Sequence, residues 1–166
     1  MKEYKEGLAL YTVTKNGFVK KTILSEFKGD FLIQQAYKFK ASEDEVICAD
    51  ISSVNIGFMV MITKKGMAIR FPVNNVNPMG KVASGVTGMS IKDDEVFFAK
   101  CFVNMEQKEN GEIAITSLDK YQLQVSTKNK EITKICVNTI KLQNRAGRGS
   151  SLITVQIDDE IKNINL

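Results

Sequence analysis

The sequence predicts an all-β fold built from repeats, each about the size of one propeller blade. Two short phrases recur along the 166 residues. A Thr-Lys phrase begins at Thr14, Thr63 and Thr127. An acidic phrase, Asp-Glu followed by an apolar residue, begins at Asp44, Asp94 and Asp159. Short runs rich in Val, Ile, Phe, Tyr and Thr fill the intervals, and such runs are typical of strands.

The spacing of both phrases lengthens at the same step. The Thr-Lys phrases lie 49 and then 64 residues apart, and the acidic phrases lie 50 and then 65 residues apart. One insertion between Asp94 and Thr127 explains both changes, and the polar segment 104–112 is predicted to form it as a long loop or extended hairpin turn. We therefore expect one domain over residues 1–166, with repeats at approximately 8–55, 56–118 and 119–166.

The predicted strands follow one another as short apolar runs. In chain order they are LALYTV, FLIQQAYKF, EVICADI, FMVMIT, MAIRF, EVFFAKCFV, EIAIT, YQLQVS, ITKICV and SLITVQI. About four strands per repeat is the size of a propeller blade, and neighbouring blades must cover its faces. The acidic phrases are expected in turns that precede a strand.

The Thr-Lys phrases are predicted to be hairpins. Asn16-Gly17 favours a type I′ turn, which needs positive φ at both central residues, and Lys65-Gly66 favours it more weakly. Lys130 stands where the third phrase would have its glycine, so the third hairpin is expected to be the most irregular.

Composition and charge limit the possible functions. The chain has no His, which removes the commonest general base, and its three cysteines are too far apart in sequence to favour a zinc site. We expect no metal and no cofactor. No run of eighteen apolar residues is present and the first residues do not resemble a signal peptide, so neither a membrane span nor export is expected. Seven basic residues and one acidic residue lie between Lys120 and Arg148, which fits either a polyanion-binding surface or a solvated polar face.

The second repeat, which continues as MAIRFPVNNVNPMGKVASGVTGMSIKDDEV, resembles the C-terminal domain of the A subunit of bacterial type IIA topoisomerases, DNA gyrase and topoisomerase IV. The matching positions are Thr63, Gly66, Ile69-Arg70-Phe71, Val76, Met79-Gly80, Gly85-Val86 and Gly88. The first repeat, from Thr14 to Phe27, also resembles a blade of this domain. In the third repeat, LQNRAGRGSSLITV resembles the Gln-Arg-Arg-Gly-Gly-Lys-Gly box of gyrase.

This resemblance implies a β-pinwheel of four-stranded blades that exchange strands with their neighbours. About three blades are visible, fewer than family domains have, so we expect the chain to be part of a larger ring and a fragment of a longer subunit. The box-like segment comprises Gln143, Asn144, Arg145, Ala146, Gly147, Arg148 and Gly149. Asn144 and Ala146 depart from the gyrase pattern, and the box lies in the third repeat rather than the first blade. Both departures favour a topoisomerase IV-like subunit or a later blade.

The resemblance also implies a function. The chain would be a non-catalytic domain that binds and wraps duplex DNA along a basic rim, without sequence preference, and presents it for strand passage. Its partners would be duplex DNA, the ATPase B subunit of the parent enzyme and the catalytic core of the same A subunit, in the bacterial cytoplasm at the nucleoid. The candidate DNA contacts are Lys20, Lys21, Lys64, Lys65, Arg70, Lys81, Lys141, Arg145 and Arg148.

Two other functional classes remain as alternatives. A propeller-like module could use the same basic residues to bind an acidic protein partner. A small hydrolase could use Asp93, Asp94 or Glu95, but the repeat places these carboxylates in turns, where they have a structural role. None of the four tyrosines lies in an arginine-containing neighbourhood like that of a DNA-breaking tyrosine, so no cleavage by this chain is expected.

Overall fold

Thirteen short strands form the regular β-structure of the computed structural model, which describes residues 7–29, 32–103, 105–107, 109–115, 117–129 and 131–166. The strands are β1 Leu8–Thr14, β2 Phe18–Ile23, β3 Val46–Ser53, β4 Phe58–Thr63, β5 Met67–Pro72, β6 Val86–Thr87, β7 Val96–Phe102, β8 Met105–Gln107, β9 Ile113–Ile115, β10 Gln122–Thr127, β11 Ile132–Cys136, β12 Ser150–Ser151 and β13 Ile161–Asn165. Short 3₁₀ turns span Leu24–Phe27, Val73–Asn75, Leu118–Lys120 and Val137–Thr139. Across the described ranges, no helix has the length and apolar character needed to cross a membrane.

Three antiparallel sheets form the blades, and adjacent blades share strands. Blade 1 has the order β3-β1-β2-β6, blade 2 the order β12-β5-β4-β7, and blade 3 the order β11-β10-β13. Strand β6 comes from the second repeat but pairs with β2 of blade 1, placing Val86 opposite Val19. In the same way β12, from the third repeat, pairs with β5 of blade 2. This exchange confirms the predicted all-β pinwheel, although blades 1 and 2 are each assembled from two repeats.

Alternation along β4 explains how the blades stack. Met59 and Met61 are buried in one core cluster together with residues of blade 1. Val60 and Ile62 point the other way and are buried in a second cluster together with residues of blade 3. Because successive side chains of a strand point to opposite faces, one strand contributes to both cores. Blade 2 is therefore covered on both faces by its neighbours, as the repeat predicts.

The two recurrent phrases of the sequence meet in space. The Asp44 Oδ1 accepts hydrogen bonds from the N–H groups of Asn16, at 3.0 Å, and Glu45, at 2.9 Å. Asp94 makes the equivalent bonds to Lys65 and Glu95, and Asp159 makes them to Asn129 and Glu160. Each acidic residue thus caps the hairpin of its own blade, which is the physical reason that both phrases recur with the same spacing.

The hairpin turns differ from the predicted type I′. The Gly17 N–H donates to the Thr14 carbonyl at 3.0 Å, and Gly17 has φ +88°. Asn16 and Lys65 are not among the residues with positive φ, so the first two hairpins have three-residue loops that end in a left-handed glycine. The type I′ prediction was wrong, because the loop is one residue longer than that turn allows. Lys130 lies outside the described residues, so the prediction for the third hairpin stays a prediction.

Three other segments of the chain test the strands and the insertion that the sequence predicts. The insertion contains a two-stranded ribbon in which β8 pairs with β9, as an extended hairpin turn would. In FLIQQAYKF, by contrast, the described residues 32–39 form no strand. SLITVQI pairs at Ser151 alone, through the two-residue strand β12. Hydrophobic, β-branched composition alone therefore overpredicted strands in the segments that connect blades.

Candidate nucleic-acid interface

Two segments that run from one blade to the edge of the preceding blade contain basic residues and no acidic ones. We call residues 73–92 the second crossing segment and residues 137–156 the third, after the repeats to which they belong. The two crossing segments contain Lys81, Lys92, Lys141, Arg145 and Arg148, and no Asp or Glu. The carboxylates of the three acidic phrases lie instead beside the hairpin turns. The second and third repeats therefore each contain a segment with basic residues and no acidic ones.

The crossing segments share one backbone path. Each begins with a 3₁₀ turn, and then a single bridge joins it to the preceding blade: Met79 N–H donates to the Lys21 carbonyl at 2.8 Å, and Gln143 N–H donates to the Arg70 carbonyl at 2.9 Å. A turn at 81–82 or 145–146 follows, and then the exchanged strand β6 or β12. The box-like residues 143–149 are therefore the structural counterpart of residues 79–85.

This correspondence was missed in the sequence, where only the third repeat was assigned a box. The signal was present in the 64-residue spacing of the second and third repeats, which relates Lys81 to Arg145 and Gly85 to Gly149. Chemical differences concealed it, because MGKVASG and QNRAGRG share only the final glycine and a cation at the third position.

Arg145 lies at the turn of the third crossing segment and is half-buried. Its Nε donates to the Asn75 carbonyl at 2.8 Å, and its Nη1 donates to the Thr87 carbonyl at 2.6 Å. Both acceptors belong to the other crossing segment. The guanidinium therefore joins neighbouring repeats, in addition to supplying positive charge.

Arg148 and Lys141 are the predicted contacts that the structure leaves exposed on a crossing segment. Arg148 and Lys92 line the same groove of about 440 Å³, together with Met67, Met89 and one carboxylate, Asp94. Lys92, and Lys134 on β11, are exposed as well and were not among the predicted contacts. Four cations of the second and third repeats are thus accessible from solvent on or beside the crossing segments.

The prediction that Lys20 and Lys21 contact DNA on a basic rim is corrected by their burial. Their side chains are 0% and 2% exposed, so they do not form part of a rim. The Lys20 ammonium donates to the carbonyls of Ala36 and Lys81, and Lys21 donates to those of Val54, at 2.7 Å, and Val73, at 3.1 Å. Burial lowers the pKa of both lysines. They satisfy buried carbonyl groups between connecting segments.

Lys64 and Lys65 lie at the hairpin turn of blade 2 and do not belong to a crossing segment. Lys64 pairs with Glu95, and this hydrogen bond raises the pKa of Lys64. Lys65 donates to the Asp93 carbonyl. They line a hollow of about 550 Å³ together with Lys128 and six acidic residues in and directly before the second and third acidic phrases. Carboxylates outnumber ammonium groups there, so this region does not favour a polyanion.

Arg70 and Lys81 are half-buried and already engaged with other segments. The Arg70 guanidinium lies over the Phe58 ring, 5.2 Å from its centroid, and Nη1 donates to Asn138 at 3.1 Å. Burial lowers the pKa of Arg70. The Lys81 ammonium donates to the Gln34 side chain at 2.9 Å. Their positive charge lies near the crossing segments, but both side chains also hold the blades together.

Replacing Ala146 by glycine is expected to stabilise the domain. Ala146 is exposed and has φ +68°, a left-handed conformation that costs a residue with a Cβ about 1 kcal/mol. The A146G variant should therefore raise the free energy of unfolding by about 1 kcal/mol in chemical denaturation. Asp93, with φ +52°, offers the matched comparison, because aspartate tolerates this region better and D93G should gain less. A larger gain for D93G would contradict this explanation.

In sequence the chain is similar to the A subunits of DNA gyrase. The family described as DNA gyrase C-terminal domain, beta-propeller, matches residues 9–29, 58–101 and 137–166. The gyrase A protein of Chlamydia trachomatis serovar D is 29% identical over 165 residues, which cover 97% of this chain and 19% of that protein. Its counterpart in Chlamydia muridarum is 30% identical over 162 residues, with the same coverage. The chain thus spans about a fifth of the gyrase proteins that it matches.

Solved structures agree on the fold. The crystal structure of the C-terminal domain of DNA topoisomerase IV superposes with a TM-score of 0.81 at 22% identity, covering 99% of this chain and 48% of that chain. A DNA gyrase A C-terminal domain gives a TM-score of 0.53 at 15% identity, covering 99% of this chain and 67% of that chain. At this level of identity the likeness shows the architecture.

Proposed function

Because the chain belongs to the DNA gyrase C-terminal domain family, we propose that it binds duplex DNA without sequence preference and bends it along the crossing segments. One observation carries this proposal: the crossing segments contain five cations and no carboxylate, whereas the carboxylates of the acidic phrases lie at the hairpins. The contact residues are Arg148 and Lys141, with Lys92 and Lys134 beside them. Arg70, Lys81 and Arg145 add positive charge from half-buried positions.

The chemistry of these segments suits a partner that is recognised by its backbone. Contacts to phosphate supply affinity through the release of counterions and need no base-edge recognition. Bending a duplex costs of order 1–6 kcal/mol for a site of 20–30 base pairs, so several modest contacts must act together along a curved path. Successive blades that place a crossing segment at the same position provide such a path.

Within a complete A subunit, this domain would hold DNA for strand passage that the catalytic core performs. The ATPase B subunit would complete an ATP-dependent enzyme acting at the bacterial nucleoid, in the cytoplasm. The chain itself would take no part in breaking DNA. This assignment rests on family membership together with the absence of carboxylates from the crossing segments.

The salt dependence of binding tests the proposal. Each phosphate contact contributes about −0.9 to the slope of log K against log salt concentration. A double variant K141Q/R148Q should therefore make the slope shallower by about 1.8 and weaken binding to every duplex sequence by a similar factor. Fluorescence anisotropy with a labelled duplex, titrated over a series of salt concentrations, measures both quantities.

The double variant K64Q/K65Q is the matched control, because it removes the same formal charge from the hairpin side. It should change the slope much less than K141Q/R148Q. If both double variants changed the salt slope equally, only the net charge would matter and the bound DNA would not follow the crossing segments. Undetectable binding of the unaltered domain at low salt would contradict DNA binding itself. If an anionic polypeptide such as polyglutamate displaced the duplex at equal charge concentration, the surface would instead fit an acidic protein partner.

A further inference from the structure

The turn of the third crossing segment is bonded to the second crossing segment along its whole length. Besides the two hydrogen bonds of the Arg145 side chain, the Ala146 N–H donates to the Gly88 carbonyl at 2.8 Å. The Ser90 N–H donates to the Gly147 carbonyl at 2.9 Å. Four hydrogen bonds thus join residues 145–147 to residues 75–90, at the place where two adjacent blades present their crossing segments.

The corresponding turn of the second repeat is bonded to the segment before it in a similar way. The Lys81 ammonium donates to Gln34, and the Tyr37 hydroxyl donates to the Ser84 carbonyl at 2.6 Å. The Lys81 carbonyl accepts a hydrogen bond from the buried Lys20. At both junctions the cation of the turn reaches back to the preceding repeat, so the interaction is a property of the position.

Arg145 differs from Lys81 in the geometry of its contact. A planar guanidinium carries several donors in fixed directions, whereas an ammonium is a compact charge on a flexible stem. Nε and Nη1 of Arg145 reach two backbone carbonyls, of Asn75 and Thr87, which lie on either side of the residue 81–82 turn. One side chain therefore fixes the third crossing segment against two points of the second.

From this geometry we infer that Arg145 is a positioning residue that sets the angle between neighbouring crossing segments, and hence the bend of the bound duplex. This inference rests on the proposed function. Arg148, three residues further on and exposed, supplies the phosphate contact. The two arginines of the box-like segment therefore have different tasks: Arg145 shapes the path, and Arg148 holds the DNA on it.

The variants R145K, R145Q and R148Q separate these tasks. R145K keeps the positive charge but replaces the two fixed donors Nε and Nη1 by one ammonium on a flexible stem, so it should bind a duplex with the salt slope of the unaltered domain while bending it less. R148Q should make the slope shallower by about 0.9 and leave the bend at saturation unchanged. The bend is measured by energy transfer between the ends of a labelled duplex shorter than the DNA persistence length of ~150 base pairs.

Each outcome decides between the two roles. R145K and R145Q are expected to lose most of the energy-transfer signal at saturating protein, with R145K retaining the affinity at low salt. If R145K bends DNA as the unaltered domain does while R145Q makes the salt slope shallower, Arg145 is a phosphate contact and the inference is wrong. A role in stability alone would lower the melting temperature without changing the bend at saturation, which would also overturn it. If R145Q does not fold, R145K still provides the decisive comparison.

Failure of this inference is distinguishable from failure of the proposed function. If the unaltered domain binds no duplex at low salt, DNA binding is wrong and the bending experiment has no signal. If it binds with a steep salt slope but gives no change in energy transfer, DNA binding stands and the bending role of Arg145 is overturned.

Discussion

Replacing Gly149 by alanine is expected to lower the free energy of unfolding by about 3 kcal/mol, from a left-handed backbone and an overpacked contact together. Gly149 directly precedes the exchanged strand of the third repeat and has φ +77°. A Cβ there would lie 2.6 Å from the Ala68 carbonyl oxygen and 2.6 Å from the Met89 Cε. The methionine could move, but the carbonyl belongs to the partner strand β5. The substitution should therefore weaken the pairing that joins blades 2 and 3.

Gly80→Ala is the matched control for this experiment. Gly80 lies in the second crossing segment, does not have positive φ, and would place its Cβ more than 4 Å from any atom beyond its chain neighbours. Chemical denaturation should show little change for G80A and a large loss for G149A. Similar losses in both variants would mean that glycine acts through general backbone flexibility, not through close approach at the exchanged strand.

Replacing Asp44 by alanine is expected to lower the free energy of unfolding by about 2–3 kcal/mol, because a buried charged acceptor of two backbone hydrogen bonds is lost. Asp44 is 7% exposed, and its Oδ1 accepts from Asn16 and Glu45. Without it, both N–H groups lose their partner at the junction of the first hairpin with β3. Thermal and chemical denaturation of D44A measure the loss.

Asp44→Asn is the informative comparison. The asparagine side chain keeps one carbonyl oxygen in the position of Oδ1, so D44N should retain both hydrogen bonds in weaker, neutral form and lose less stability than D44A. If the two variants lose the same amount, the charge itself stabilises the hairpin and the geometry of the oxygen is secondary. If neither loses stability, the cap does not explain the recurrence of the acidic phrase.

Local and periodic signals were sufficient for the architecture. The recurrence of Thr14, Thr63 and Thr127 with the acidic phrases gave the number of visible repeats and located the insertion, because each phrase encodes a turn within its own blade. The strands β1, β4, β5, β7, β10 and β11 coincide with predicted apolar runs for the same reason.

Nonlocal features were the ones that sequence reasoning missed. Strands β6 and β12 are two residues long and form only by pairing with a strand of another blade. They are therefore too short to show a hydrophobic period in the sequence. Lys20 and Lys21 lie in a run, FVKKTI, that reads as a polar surface strand. Their burial depends on segments distant in sequence: Ala36 and Lys81 bind one ammonium, and Val54 and Val73 bind the other.

The candidate site was predicted in part. The box-like segment was singled out as a place where basic residues gather on a glycine-containing loop, and Arg148 and nearby Lys141 are exposed there. The sequence could not distinguish Arg145 from Arg148, because a difference between a guanidinium bonded to neighbouring carbonyls and one facing solvent arises only when two repeats meet. Lys64 and Lys65 were misplaced because the acidic residues around them come from two repeats.

Because strands are exchanged, the sequence repeat, which is the unit of duplication, does not coincide with the blade, which is the unit of folding. A repeat supplies three strands to its own blade and a fourth to the blade before it, as β6 and β12 show. In the described residues, β11 has no such strand on its outer side. An array that grows by one repeat therefore closes one strand edge and opens another. However many blades are added, this kind of growth leaves one terminal blade without its fourth strand, so the array can be extended by copying a single repeat.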